Sequence, residues 1–207
     1  ELAERTTMLS IHILNVYANQ LALIHRSRLD PLTELLNRQT FDTKVMEIVS
    51  DDQFSLSNEA QSWFLAIVDI DHFKRVNDNF GHVIGDEVIL LLARLLKNNF
   101  KVDDFVFRYG GEEFAVLFYA KSDSDALHIL ECFRKNVAEY PFPQVGQLTV
   151  SIGYLKLTEV DMVASLVNKA DLALYHSKNN GRDQVTSYLD LNVVEKVQND
   201  DDGIELF

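Results

Sequence analysis

The chain holds one cysteine, Cys132, in 207 residues. A lone thiol excludes an intrachain disulfide and fits a reducing compartment. No uninterrupted apolar run is long enough to cross a bilayer, and no signal peptide is visible. A cytoplasmic location is therefore expected. Positive charge is scarce too. Nineteen Lys and Arg face 32 Asp and Glu, a formal net charge of −13. That balance disfavours nucleic acid, which needs a basic face. It leaves room for a nucleotide, because a few local cations suffice for one triphosphate. An initiator Met is missing as well. The chain opens on Glu1, as a piece cut from a longer protein would, and a sensor domain or membrane anchor would then lie in the missing part. What is present is enough for one domain with extensions, and a hydrophobic content of 47% can fill its core.

Residues 1–29 contain neither Gly nor Pro and read as a helix. Leu2, Leu9, Val16 and Leu23 recur every seven residues, and Leu14, Tyr17, Leu21 and Ile24 form a second stripe. Both fit a coiled-coil or helix-pair seam, interrupted by Thr6, Gln20 and Ser27. The alternative is a helix packed on its own domain. Asp30-Pro31 breaks it and suits a new helix start, with Asp30 as N-cap. Beyond it, strand and helix patterns alternate. A strand at Trp63–Ile70 precedes a helix at Ile84–Asn98 and a hairpin of Phe105–Arg108 with Phe114–Tyr119. A helix at Ser124–Glu139, a strand at Gln147–Tyr154, a helix at Asp161–Ser177 and a short strand at Gln184–Tyr188 follow. The expected class is α+β: βαββαβ with an extra edge strand, an antiparallel sheet with helices on one face. Cys132 shares a helical pattern with Leu127, Leu130, Phe133 and Val137, which gives it a packing role. Residues 51–62 read as a polar loop. The division expected is 1–29 helical linker, 30–188 main domain and 189–207 acidic tail, with no function assigned to the tail.

The chemistry concentrates in Arg108–Phe118, RYGGEEFAVLF. Gly110 and Gly111 at the hairpin tip permit a tight turn with positive φ and let another molecule approach the backbone. Glu112 and Glu113 place two carboxylates there. Upstream, the apolar strand IVDID ends in Asp69 and Asp71. Acidic groups at a strand end and on a neighbouring hairpin suit two-metal phosphoryl chemistry. The bland alternative is that they are merely solvated turn residues.

With these residues the chain resembles the GGDEF family of diguanylate cyclases. Its central motif stands as Gly110-Gly111-Glu112-Glu113-Phe114, and further family stretches occur in the family's order. They are DPLTELLNR (Asp30–Arg38), DIDHFKRVND (Asp69–Asp78), GHVIGD (Gly81–Asp86), LTVSIG (Leu148–Gly153) and ADLALYHSKNNGR (Ala170–Arg182). The resemblance implies a palm-type fold that joins two GTP into cyclic di-GMP as a homodimer. Pairing would run through the N-terminal helix, the catalytic domains or both, below an upstream sensor. It implies magnesium, or manganese in its place, on Asp69, Glu112 and the backbone carbonyl of Ile70. Asp71 stands as a weaker candidate ligand or a supporting group. Glu113 is left as a second-metal contact, a base for the 3′-hydroxyl, or a nearby charge.

By the same resemblance Asn77 and Asp86 read guanine, although a turn and a helix-start charge would also explain them. The loop Asp71–Lys74, with His72 and Phe73 in it, turns just after the strand and can cradle an anion with its amides. Lys74, Lys178 and Arg182 match phosphate-side positions, and Lys178 would equally suit a helix C-terminus. His82 and Asn37-Arg38 are expected to hold the fold. Two departures stand out. Lys101 replaces the Arg of the family's Arg-x-x-Asp product-inhibition site, while Asp104 is kept. Lysine lacks the planar fork that grips phosphate and stacks on guanine, so product binding there is expected to be weak. Glu34 stands where the family has Gly, without catalytic meaning. The alternative function is an inactive module that binds GTP or cyclic di-GMP as a receptor.

Overall fold

The computed structural model describes residues 2–50, 62–157 and 161–191. Helix α1 spans Leu2–Ser27. Its described apolar side chains, including Ile13, Leu14, Val16, Tyr17 and Leu23, are between 57% and 66% exposed. They do not pack on the chain's own domain. The side chains of Leu2, Leu9, Leu21 and Ile24 lie outside the described residues, as do residues 51–61 of the expected polar loop and 192–207 of the tail. Among the described residues, no helix is long and apolar enough to cross a membrane.

Asp30 does cap a turn, but no helix starts at Pro31. Its Oδ1 accepts from the backbone N–H and the hydroxyl of Thr33, both at 2.8 Å, and the chain then enters a two-residue strand, β1 (Leu36–Asn37). The next helix, α2, runs Arg38–Ser50. Asn37 caps it by accepting from the Thr40 N–H, and its amide group donates to the Ser27 carbonyl at the end of α1. One carboxamide thus ties two helix ends together, the fold-holding role expected of it.

The remaining elements are β2 (Ser62–Ile70), α3 (Phe73–Phe80), α4 (His82–Asn99), β3 (Phe105–Arg108), β4 (Glu113–Ala120), α5 (Asp123–Glu139), β5 (Val150–Lys156), α6 (Val163–Asn179), β6 (Val185–Ser187) and a 3-10 turn at Tyr188–Leu191. The sheet order is β1-β3-β4-β2-β5-β6. Its four central strands are antiparallel, and β1 and β6 join the edges in parallel. The expected α+β class holds, with two corrections. The sheet is mixed, and helices cover both faces. Phe64, Ala66, Val68 and Ile70 of β2 face α3, α4 and α5. Leu65 and Ile67 face α2 and α6. The run Phe64–Val68 is apolar at every position, the mark of a strand buried on both sides.

Three smaller expectations also change. The short helix α3 occupies what read as a loop and turn, because Gly81 at φ 84° separates it from α4. The strand expected over Gln147–Tyr154 lies at Val150–Lys156. Cys132 is exposed, with its Sγ 3.6 Å from His128 Nε2. The packing face of α5 is Ala126, Leu130, Phe133 and Val137, and Leu127 is 39% exposed.

Candidate active site

The antiparallel register between β2 and β4 puts Asp69 opposite Glu113. The turn from Tyr109 to Glu112 closes above them, with the N–H groups of Tyr109 and Gly110 both donating to the Glu113 carbonyl, at 2.9 and 3.1 Å. Neither glycine of the turn has positive φ, contrary to expectation. A Cβ at Gly110 would fall 2.8 Å from Glu113 Oε2, the movable end of a side chain. Gly111 faces open space, which leaves its backbone approachable.

Asp69 is 5% exposed, and its Oδ2 sits 2.7 Å from the Lys178 ammonium at the end of α6. Burial pushes the Asp69 carboxyl up to about 6, with Lys178 pulling it down and the Glu112 and Glu113 charges adding to the rise. A carboxylate that is costly to charge, beside two further carboxylates, calls for a cation. Lys178 supplies one and stands in for it. Hard oxygen donors are what magnesium takes, and with a nucleotide it needs only one or two carboxylates. Among the described residues, no three His, Cys, Asp or Glu side chains gather into a self-sufficient metal cage. The Asp69 and Glu112 carboxylates are hard oxygen donors of the type that a nucleotide-borne metal takes. Asp71 is placed differently from Asp69. It is 3% exposed, and both its oxygens accept protein hydrogen bonds.

Sequence reasoning missed a pair at this turn. The Arg108 guanidinium donates to the Gly111 carbonyl through Nε and Nη2, at 3.3 and 3.0 Å. Its Nη1 donates to both Asp30 oxygens, at 3.1 and 3.2 Å. Burial opposes the charge on Asp30, but hydrogen bonds from Thr33 and Arg108 outweigh it and hold the carboxyl below its usual range. One side chain thereby ties the segment after α1 to the acidic turn. The available signal was an Arg two residues before the Gly pair and an Asp assigned only to capping.

The two residues expected to read a base come together through a glycine. Asn77 lies on α3 and Asp86 on α4. A Cβ on Gly85 would fall 2.0 Å from Asn77 Oδ1 and 3.2 Å from the Phe73 ring. Gly85 therefore leaves the space that the Asn77 amide fills, beside exposed Asp86. Gly85→Ala is expected to displace Asn77 and narrow the preference for GTP over ATP by about 1 kcal/mol, the scale of one disturbed hydrogen bond. Competitive nucleotide titration checks this, and an unchanged ratio would remove Asn77 from base reading.

Among the residues expected on a phosphate side, His72 at φ 58° turns the chain into α3, whose N-terminus no side chain caps. The Phe73 ring is buried, which leaves only its backbone for the expected ligand contact. Lys74 and Arg182 are exposed, with no side-chain partner among the described residues. At the other candidate site, Asp104 accepts from the N–H of Lys101 at 2.8 Å and of Tyr119 at 3.2 Å. One carboxylate oxygen of Asp104 closes its own turn and the other joins β4, and the Lys101 side chain is exposed.

Comparison with known proteins agrees with this fold. Residues 27–184 match the family model described as diguanylate cyclase, GGDEF domain. The diguanylate cyclase VdcA of Vibrio cholerae is 36% identical over 173 residues, covering 80% of this chain and 49% of its own length. The diguanylate cyclase DgcM of Escherichia coli K12 is 37% identical over 163 residues, covering 79% of this chain and 39% of its own. The chain thus spans half or less of these relatives. Among solved structures, the coiled coil and GGDEF domain of DgcB from Caulobacter crescentus, in complex with c-di-GMP, superposes with a TM-score of 0.81 at 29% identity. That match covers 90% of this chain and 98% of the other.

Proposed function

The chain belongs to the GGDEF family of diguanylate cyclase domains, and from that premise we propose that it condenses two GTP into cyclic di-GMP and two pyrophosphates. The observation that carries the proposal is buried Asp69, paired with Lys178 and set against Glu113 and Glu112. Asp69, Glu112 and the Ile70 carbonyl would hold the metal, magnesium or manganese, which when bound supplies positive charge to the α-phosphate and the leaving pyrophosphate. Lys178 is then free to leave Asp69 for the phosphates, where Lys74, Arg182 and the uncapped amides at the start of α3 join it. Asn77 and Asp86 hold the guanine edge, and a base that leaves their polar groups unpaired in the complex is rejected. Glu113, beside the reacting end, accepts the proton of the attacking 3′-hydroxyl.

One domain of this size holds one GTP, so a second copy brings the other across a two-fold axis. The exposed apolar side chains of α1 supply a surface for that pairing. In this reading residues 1–29 link an upstream sensor to a catalytic domain over 30–188. Incubation with GTP and Mg²⁺, with products resolved by mass spectrometry, is the test. Cyclic di-GMP with pyrophosphate is expected, and GTP left intact by a dimeric sample would sink the proposal. A receptor role for cyclic di-GMP is disfavoured because Lys101 stands where that site needs the planar fork of an Arg to grip phosphate and stack on guanine. Calorimetric titration with cyclic di-GMP is expected to show no tight site beside Lys101, and strong product inhibition would show that lysine suffices.

A further inference from the structure

Asp71 follows β2 directly, and three donors converge on its buried carboxylate. The Ser151 hydroxyl donates to Oδ1 at 2.7 Å. The Thr149 hydroxyl and the backbone N–H of Asp183 donate to Oδ2, at 2.7 and 3.1 Å. Ser151 belongs to β5 and Thr149 leads into it, so two of the three anchors are parts of the rigid sheet. The third lies in the turn after α6. With its lone pairs so engaged, Asp71 has little left to offer a metal.

That turn is unusual. Arg182 and Asp183 take φ of 63° and 47°, two consecutive left-handed residues that both carry side chains. Such backbone persists only where the surroundings hold it. Here they do so from several sides. The Arg134 guanidinium of α5 donates to Asp183 Oδ1 at 2.6 Å, and Glu131 fixes that guanidinium in turn at 2.9 and 3.1 Å. The Ser177 carbonyl accepts from the Arg182 N–H and the Gln184 amide, at 3.0 and 2.7 Å. A connection that merely reached β6 would be built with Gly or Asn at left-handed positions. Instead a strongly anchored backbone carries a side chain, Arg182, that is exposed and has no partner among the described residues.

We infer that Asp71 is a positioning residue: it holds the Arg182–Asp183 turn so that Arg182, together with Lys178 at the turn's entrance, is preset to clamp a triphosphate. The inference rests on the GTP-binding reading above and adds a role for a carboxylate which that reading leaves idle. Order built into the free protein is order the nucleotide need not impose on binding.

Equilibrium binding of GTP and of GMP with Mg²⁺, by calorimetry on the whole chain, tests it. Wild type is expected to favour GTP. Asp71→Ala should lose about tenfold in GTP affinity, with GMP within about twofold, because only the distal phosphates need the clamp. Asp71→Asn should keep most of the GTP affinity, since its amide oxygen still accepts from Asp183 while its NH₂ donates to Ser151. Arg134→Met, which loosens Asp183 from the other side, should lose about threefold with the same selectivity. If Asp71→Ala does not fold, Arg134→Met and Asp71→Asn decide. Asn as damaging as Ala would make the charge essential, as for a metal ligand, and overturn the inference. So would equal losses for GTP and GMP, or none. A wild type that binds GTP no better than GMP would instead overturn the underlying reading, and the inference with it.

Discussion

Asp69→Asn and Glu112→Gln are each expected to cut cyclic di-GMP formation by about a hundredfold or more, the scale of losing one group that stabilises developing charge. Each swap keeps the shape and removes the negative charge. Asp69 has the clearer signature, because its function opposes its stability. Its carboxyl sits at about 6 in the fold against 3.8 in the open chain. A raised carboxylate stabilises the fold only while protonated. That contribution is present below 3.8 and is lost as pH rises through about 6. At neutral pH the buried charge is a net cost that Lys178 offsets in part. Asp69→Asn should therefore leave the melting temperature unchanged or raised while turnover collapses. In the wild type, Mn²⁺ binding with nucleotide should weaken below about pH 6, as protons compete for Asp69. Near-wild-type cyclisation by either variant, at matched dimer content, would refute the assignment.

Gly153→Ala is expected to cost about 3 kcal/mol or more, at the upper end for overpacking a core. Gly153 lies in the middle of β5, and a Cβ there would fall 2.1 Å from the Leu174 N, 2.3 Å from the Ala170 carbonyl oxygen and 2.7 Å from the Leu174 Cα. All three are backbone atoms of α6, so no rotamer change can relieve the contact. Relief requires α6 to lift from the sheet. That would break the bond from the Ser177 hydroxyl to the Ile152 carbonyl and shift Lys178 away from Asp69. A fall in melting temperature of about 6–12 °C follows for a chain of this size. Thermal and urea unfolding measure it, with Gly111→Ala as the control, because a methyl there meets nothing within 4 Å. If both substitutions melt like wild type, the helix–strand packing described here is wrong.

The same glycine marks the limit of what the chain's pattern discloses. Gly153 stands inside LTVSIG, a stretch that identified the family without revealing why Gly was needed. Its reason is the backbone of a helix that begins ten residues later. Gly85 is similar, since the Asn77 amide fills its space. Arg108 and Asp30 lie 78 positions apart and meet only because the hairpin folds back over the end of α1. Asp71, a candidate metal ligand by its place beside Asp69, proved to be a hydrogen-bond hub joining β2 to the turn after α6.

Local chemistry was readable in advance because its determinants are adjacent in the chain. The Gly pair with two glutamates, the apolar strand ending in Asp69, the lysine at a helix end and most of the strands and helices depend on neighbours within a few residues. The side of the sheet each helix covers, the mixed edges of that sheet and the division of labour between Asp69 and Asp71 depend on contacts between distant segments. Which of two similarly buried aspartates stays available for a cation is decided by where the donors fall. Thr149, Ser151 and Asp183 surround one, and Lys178 faces the other. Only the packed sheet brings those donors within hydrogen-bond reach.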